Sequence, residues 1–154
     1  MLAFSVKAWS DLSASELYAI LTLRQQVFVV EQRCAYQDCD GKDPMCRHLM
    51  AHLGRELVAY ARLLPAGVSY AEPSIGRVVT SPEVRGRGFG QLLIREAVKE
   101  TWERFGGPIV IGAQRYLLKF YGEVGFVPVG EPYDEDGIPH VHMKLSQSGL
   151  PAGA

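Results

Sequence analysis

Val78-Val79-Thr80-Ser81-Pro82-Glu83-Val84-Arg85-Gly86-Arg87-Gly88-Phe89-Gly90 decides the fold. An apolar, β-branched run reads as a strand, and Pro82 ends it. A loop with glycines at alternate positions follows and opens an amphipathic helix, whose apolar stripe is Leu92, Leu93, Ala97, Val98 and Trp102. The first amides of a helix have no partner inside it, and the helix dipole adds partial positive charge there. Glycines let successive N–H groups converge on one anion, and Arg85 and Arg87 add full charge for it. Phosphate or pyrophosphate is the natural ligand. A dinucleotide fingerprint G-x-G-x-x-G would need glycine at 91, where the chain has Gln91, and no G-x-x-x-x-G-K-S/T occurs. The pattern therefore disfavours NAD and ATP. A tight turn that merely caps a helix is the plainer reading of the same glycines.

Working outward, Gly106-Gly107 stops that helix, and Pro108–Gly112 is a short apolar run, as expected of a strand covered on both faces. Tyr116–Val124 reads as a short helix, and Gly125–Val129 and His140–Leu145 as the last strands. Upstream, Ser74–Thr80 is the strand that feeds the loop, and His48–Gly54 and Glu56–Leu64 form a hairpin through Gly54-Arg55. Phe4–Trp9 is a first strand. Ser13 and Glu16 make a capping box for a helix that carries Leu17, Ile20, Leu21, Val27 and Phe28 on one face. Residues 31–47 lose all periodicity and read as a long polar loop. The order β-α-β-β-β-α-β-α-β-β is an α+β arrangement with a parallel crossover near the middle.

The 154 residues, 47% hydrophobic and 21% charged, fit one folded domain. Residues 1–146 are expected to form it, with 147–154 a flexible tail. The net charge of −1 gives no reason to expect nucleic acid. No apolar run approaches the roughly 20 residues that span a bilayer. The N-terminus shows no signal-peptide apolar region, so a cytoplasmic location is expected. Three cysteines, an odd count, fit free thiols better than a disulfide framework. Cys34, Cys39, Cys46 and His48 lack the paired C-x2-C spacing of a zinc knuckle, the acidic stretch after Asp38 has no glutamate at the twelfth calcium-loop position, and no metal is expected.

Arg85-x-x-Gly88-x-Gly90 after Val78-Val79-Thr80-x-Pro82 resembles motif A of the GNAT superfamily of acyl-CoA N-acyltransferases, and Phe120-Tyr121-x-x-x-Gly125-Phe126 resembles that family's F-Y-x-x-x-G-F segment. The stretch from Leu23 to Tyr36, the acidic loop and Ile138-Pro139-His140 look more narrowly like its ElaA-like branch. The resemblance spans nearly the whole chain. It implies a GNAT-like fold, a mixed central sheet of about seven strands splayed in the middle and flanked by helices. It implies that acetyl-CoA, or another acyl-CoA, is the cosubstrate, with an amine as acceptor. By position, Val78, Val79 and Thr80 meet the pantetheine arm through main-chain groups. The loop Arg85, Gly86, Arg87, Gly88, Phe89 and Gly90 takes the pyrophosphate. Gln114 stands where the family often has an asparagine that contacts the cofactor. Tyr121 stands where the family's tyrosine protonates the departing thiolate.

The general base has no single candidate. Ser74 occupies the place where many relatives carry a carboxylate, and a serine cannot serve unaided. Glu31, Glu72, His48, His140 and His142, or a chain of waters, remain candidates. Together with Tyr36, these side chains are the candidates for acceptor binding. The acidic loop (Glu31, Asp38, Asp40, Asp43) either attracts a cationic amine or is a solvated surface. A GNAT fold that binds CoA without turnover is the alternative to an enzyme, and a homodimer is left open.

Overall fold

The computed structural model describes residues 1–147, so the expected tail lies, from residue 148 on, outside the described residues. Seven strands and three α-helices follow in order: β1 Leu2–Ala8, α1 Ala14–Arg24, β2 Arg47–Leu53, β3 Glu56–Leu64, β4 Ser74–Thr80, α2 Phe89–Phe105, β5 Ile109–Gln114, α3 Leu118–Gly122, β6 Val127–Glu135 and β7 Ile138–Leu145. The α+β order is the one read from sequence, and the capping box is present, with Ser13 Oγ accepting from Glu16 N and Glu16 Oε1 accepting from Ser13 N. No helix among the described residues is long and apolar enough to cross a membrane.

Hydrogen bonding divides the strands into two antiparallel sheets, β1-β2-β3-β4 and β5-β7-β6. They meet where β4 and β5 begin, and there Val110 N donates to Pro73 O at 3.0 Å. Beyond that bond the two strands part, and a cavity occupies the gap between their C-terminal ends. The expected splay in the middle of the sheet is thus a nearly complete separation.

β4 carries the irregularity that opens this gap. Tyr60 pairs with Val79 and Arg62 with Gly76, so Ala61 faces both Arg77 and Val78. One extra residue in a strand moves every later side chain to the opposite face. Ile75 accordingly packs beneath α2 and α3, whereas Val79, four residues on, packs against α1 with Ile20, Leu23, Val27, Met50 and Tyr60. Arg77 takes the bulge conformation at φ 50°. A long side chain there costs about 1–2 kcal/mol, so neighbours must hold it.

The neighbours are aspartates from the segment read as a long polar loop. Arg77 Nε lies 2.9 Å from Asp38 Oδ1, and its guanidinium reaches Asp40 Oδ2 at 3.3 Å. Arg62 forks onto Asp40 at 2.8 and 2.9 Å and onto Asp43 at 3.0 Å. Arg24 is fully buried at the end of α1 and bonds Asp38 at 2.9 Å and Asp43 at 2.8 Å. Neither alternative for these aspartates, a patch that attracts a cationic amine or a solvated surface, describes them. Three aspartates are spent on three arginines, because a buried guanidinium demands a paired carboxylate. Burial works against the Asp40 and Asp43 carboxylates, but their arginine partners outweigh it and hold both below the usual range.

Other departures are local. α1 continues as a π-helical stretch, Gln25–Glu31, which keeps Val27 in the core. β6 is far longer than the expected Gly125–Val129. It is an edge strand in which Pro128 and Pro132 forgo ladder bonds, and it turns into β7 through Asp136 and Gly137, at φ 51° and 78°. The three cysteines are free.

Arg24→Met should cost about 3–5 kcal/mol at neutral pH, because it takes from buried Asp38 and Asp43 one of the two arginines that each of them meets. Carboxylates with lowered folded pKa contribute stability that is full above their unfolded pKa of about 3.9 and is lost as pH falls below it. The gap between variant and wild type should therefore narrow as pH falls from about 4 toward the lowered folded pKa of Asp43. Urea unfolding across that range measures both, and equal stabilities at pH 7 would show that the network is not structural.

Candidate active site

The cavity between β4 and β5 encloses about 810 Å³. Its floor at the parting is Val78, Val79 and Thr80 on one side and Gln114 on the other, with Gly90 and Phe120 toward the start of α2. Gly86 and Gly88 have φ of 84° and 77°, a conformation that side chains avoid, and Gly88 is the N-cap of α2. The chain thereby swings from β4 into α2 with the helix's first amides unpartnered. Of the glycine loop, Arg85 and Gly90 line the cavity, and Gly86, Arg87, Gly88 and Phe89 do not. A Cβ at Gly90 would stand 3.4 Å from the Phe120 ring, so the helix approaches α3 closely.

Glu31 is not free. Its carboxylate accepts two hydrogen bonds from Arg85, at 2.8 and 2.6 Å, across the mouth of the cavity. This bond and the opposite charge lower the Glu31 pKa and raise that of Arg85. The pair is solvent-exposed, so its contribution to stability is small.

Tyr121 stands on α3, packed edge-on against Phe120 and Phe126 at 5.1 and 6.0 Å, and only 8% exposed. It belongs to the core and lines the cavity at once. Its hydroxyl makes no hydrogen bond to a described residue, and burial raises its pKa, keeping the phenol protonated.

At the other end of the cavity stand side chains that the sequence reading did not single out. Tyr70, from the loop before β4, and Tyr133, from β6, bring their hydroxyls together over Gly112, where a Cβ would lie 3.0 and 2.5 Å from them. Burial raises the pKa of both phenols. A bulge in β6 between Val129 and Tyr133 swings Tyr133 into place. No local pattern announces either tyrosine, since one comes from the loop before β4 and the other from β6, and they converge only in the folded chain.

The remaining candidates divide. Tyr36 lines the cavity, donates to Asp38 Oδ1 at 2.8 Å and lies under Arg77. His140 lines the cavity as well. His142 stacks on Tyr133 with ring centroids 4.4 Å apart and stands behind it rather than at the cavity. His48 is a core histidine, 1% exposed, held between Tyr60 Oη at 2.7 Å and Asp43 O at 2.9 Å, and burial lowers its pKa. Glu72 is half-buried and away from the cavity, because Pro73 commits its neighbours to the β4–β5 junction.

A family model described as an acetyltransferase (GNAT) domain matches residues 12–147. The chain belongs to the GNAT acetyltransferase family. Protein ElaA of Escherichia coli is 46% identical over 137 residues, covering 87% of this chain and 90% of that protein. Among solved structures, an acyl-CoA N-acyltransferase from Pseudomonas aeruginosa superposes with a TM-score of 0.90 at 42% identity, covering 95% of this chain and all of that one. E. coli ElaA superposes with a TM-score of 0.89, also at 42% identity over 95% of this chain. The splayed GNAT fold and the ElaA-like resemblance read from the sequence are both present. As a GNAT domain, the chain has an acyltransferase architecture whose cosubstrate is an acyl-CoA.

Ligand binding to the folded state alone stabilises it by about 2.7 kcal/mol at a hundred times Kd. Acetyl-CoA at that level should raise the melting temperature by about 5–10 °C, given about 2–4 °C per kcal/mol at this size. NAD should not. Gly88→Val places a branched side chain at φ 77° and should abolish the shift while circular dichroism shows the fold retained. A full shift in that variant would reduce the loop to a helix start.

Proposed function

We propose that residues 1–146 form one catalytic domain that transfers an acyl group, acetyl in the first instance, from acyl-CoA to a primary amine by direct attack on the thioester. The observation that carries this reading is the continuous cavity that runs from the glycine loop, through the parting of β4 and β5, past Tyr121 to the Tyr70–Tyr133 end. A cosubstrate laid along it has its pyrophosphate at the amides that open α2, with Arg85 and Arg87 beside it. Its pantetheine arm lies against Val78, Val79 and Thr80, with Gln114 opposite. Main-chain N–H and C=O groups freed by the missing β4–β5 ladder are the partners such an arm needs.

The acceptor enters from the other end, beside Tyr36, Tyr70 and Tyr133. A thioester is already activated, so the protein has three tasks: to position the amine, polarise the carbonyl and protonate the departing sulfur. An amide of Val79 or Thr80 serves as polariser. Tyr121 serves as acid. Its raised pKa keeps it protonated at neutral pH, and its unpartnered hydroxyl has its hydrogen available. The pairing of Arg85 with Glu31 adds a condition: the phosphate must compete with the carboxylate for the guanidinium.

Steady-state kinetics with acetyl-CoA across a panel of primary amines, reading both thiol release and amide formation, tests the reading. Tyr121→Phe should lower kcat by about 10²-fold while leaving the Kd for acetyl-CoA unchanged, the pattern of an interaction made only in the transition state. Unchanged kcat with lowered melting temperature would return Tyr121 to the core. Tight acetyl-CoA binding with no turnover on any amine would favour a sensing module.

A further inference from the structure

An amine acceptor arrives protonated at neutral pH and must lose a proton before it attacks. The structure removes most candidates for this step. Glu31 is bound to Arg85, His48 is sealed in the core, His142 stands behind Tyr133, Glu72 is away from the cavity, and Ser74 is not a base.

His140 differs from them in three respects. First, it is buried yet lines the cavity. Second, the tautomer of its neutral ring is set. Nδ1 lies 2.7 Å from the Ile138 carbonyl, which can only accept, so in the neutral imidazole Nδ1 carries the hydrogen and the lone pair falls on Nε2. Third, Nε2 lies 3.5 Å from Glu135 Oε2, close enough to stabilise an imidazolium formed at Nε2 and too far to occupy that nitrogen beforehand. Glu135 lines the same cavity.

The position in the sheet agrees. Along β5, Ile109, Ile111 and Ala113 pack beneath α2 and α3, so Val110, Gly112 and Gln114 face the other way. His140 pairs with Gln114, the last residue of β5, and shares its face. Tyr121 belongs to the α2–α3 side. The acid and the histidine thus flank the parting from opposite faces, the arrangement that a thioester passing through the gap requires: sulfur toward one, acceptor toward the other.

We propose that His140 is the general base of this site, with Glu135 as its positioning partner, an inference that rests on the acyl-transfer reading. Nε2 takes one proton from the ammonium. The freed amine attacks the thioester carbonyl carbon and the C–N bond forms. The C–S bond then breaks with its electron pair going to sulfur. Tyr121 gives sulfur its proton and recovers one, through solvent, from the nitrogen of the new amide. The net proton stays on His140 and leaves through the cavity.

The test compares two nucleophiles in the full-length protein: the primary amine that the wild type acylates fastest, and hydroxylamine, which is neutral at pH 7 and needs no proton removed before attack. His140→Gln should lose about 10²-fold in kcat/KM with the amine. With hydroxylamine it should stay within about threefold of wild type, less than one positioned acid or base contributes. Glu135→Gln, whose carboxylate is 59% exposed, should lose only a few-fold with the amine and nothing with hydroxylamine. The acetyl-CoA melting shift and the hydroxylamine rate report on the fold of each variant. Equal losses with both nucleophiles would make His140 structural, and no loss with either would exclude it; both overturn the proposal. A wild-type protein that binds acetyl-CoA but acylates neither nucleophile overturns the transfer reading itself, and the base with it.

Discussion

A main-chain hydrogen bond, Val110 N to Pro73 O, joins the two sheets where β4 and β5 begin, and the absence of a β4–β5 ladder beyond it among the described residues is the constraint on which the site depends. Two neighbouring strands that part leave main-chain donors and acceptors facing each other across a gap. Unpaired groups of this kind are costly to bury and are kept open only where a ligand or water meets them. The gap leads from the amides at the start of α2 on one side to the tyrosines over Gly112 on the other. Its two ends are different chemistry: a glycine-rich helix start with unpaired amides, and an aromatic end that carries the Tyr70 and Tyr133 hydroxyls.

Keeping β4 out of register requires a support, and the arginine–aspartate network supplies one. Arg77 sits in a conformation that L-residues avoid, and its guanidinium is tied to Asp38 and Asp40. These aspartates are tied in turn to Arg62 on β3 and Arg24 at the end of α1. The segment between α1 and β2 thus braces the bulge from outside the sheet. Well-packed apolar residues of similar volume would stabilise the fold at least as well. What the ionic network adds is direction, since forked bonds fix where the Arg77 backbone sits.

Legibility from sequence followed the range of the interaction. Ser74–Thr80 was readable as a strand to its end residues, because β-branched residues precede Pro82. The Ser13–Glu16 box and the glycines at 86 and 88 were readable because capping and positive φ are decided within a few residues. The Arg24–Asp38–Asp43 contacts were not, and three aspartates in a polar loop look the same whether solvated or buried under arginines from α1 and β3. β6 was read too short because Pro128, Gly130 and Pro132 speak against a strand, and only its edge position admits them. His48 and His140 are indistinguishable in the sequence. One is enclosed by Tyr60 and Asp43 and the other stands at the cavity, a difference made by register alone.

The account stands on the parting of β4 and β5 as the place where the thioester arm lies. Amide hydrogen exchange, residue by residue, with and without saturating acetyl-CoA, tests this most directly. The account predicts slowed exchange at Val78–Thr80 in β4 and at Gly88–Gln91 at the start of α2, with β1 and β2 unchanged. Slowing confined to the loop and helix start, with the β4 amides exchanging as in the free protein, would contradict it.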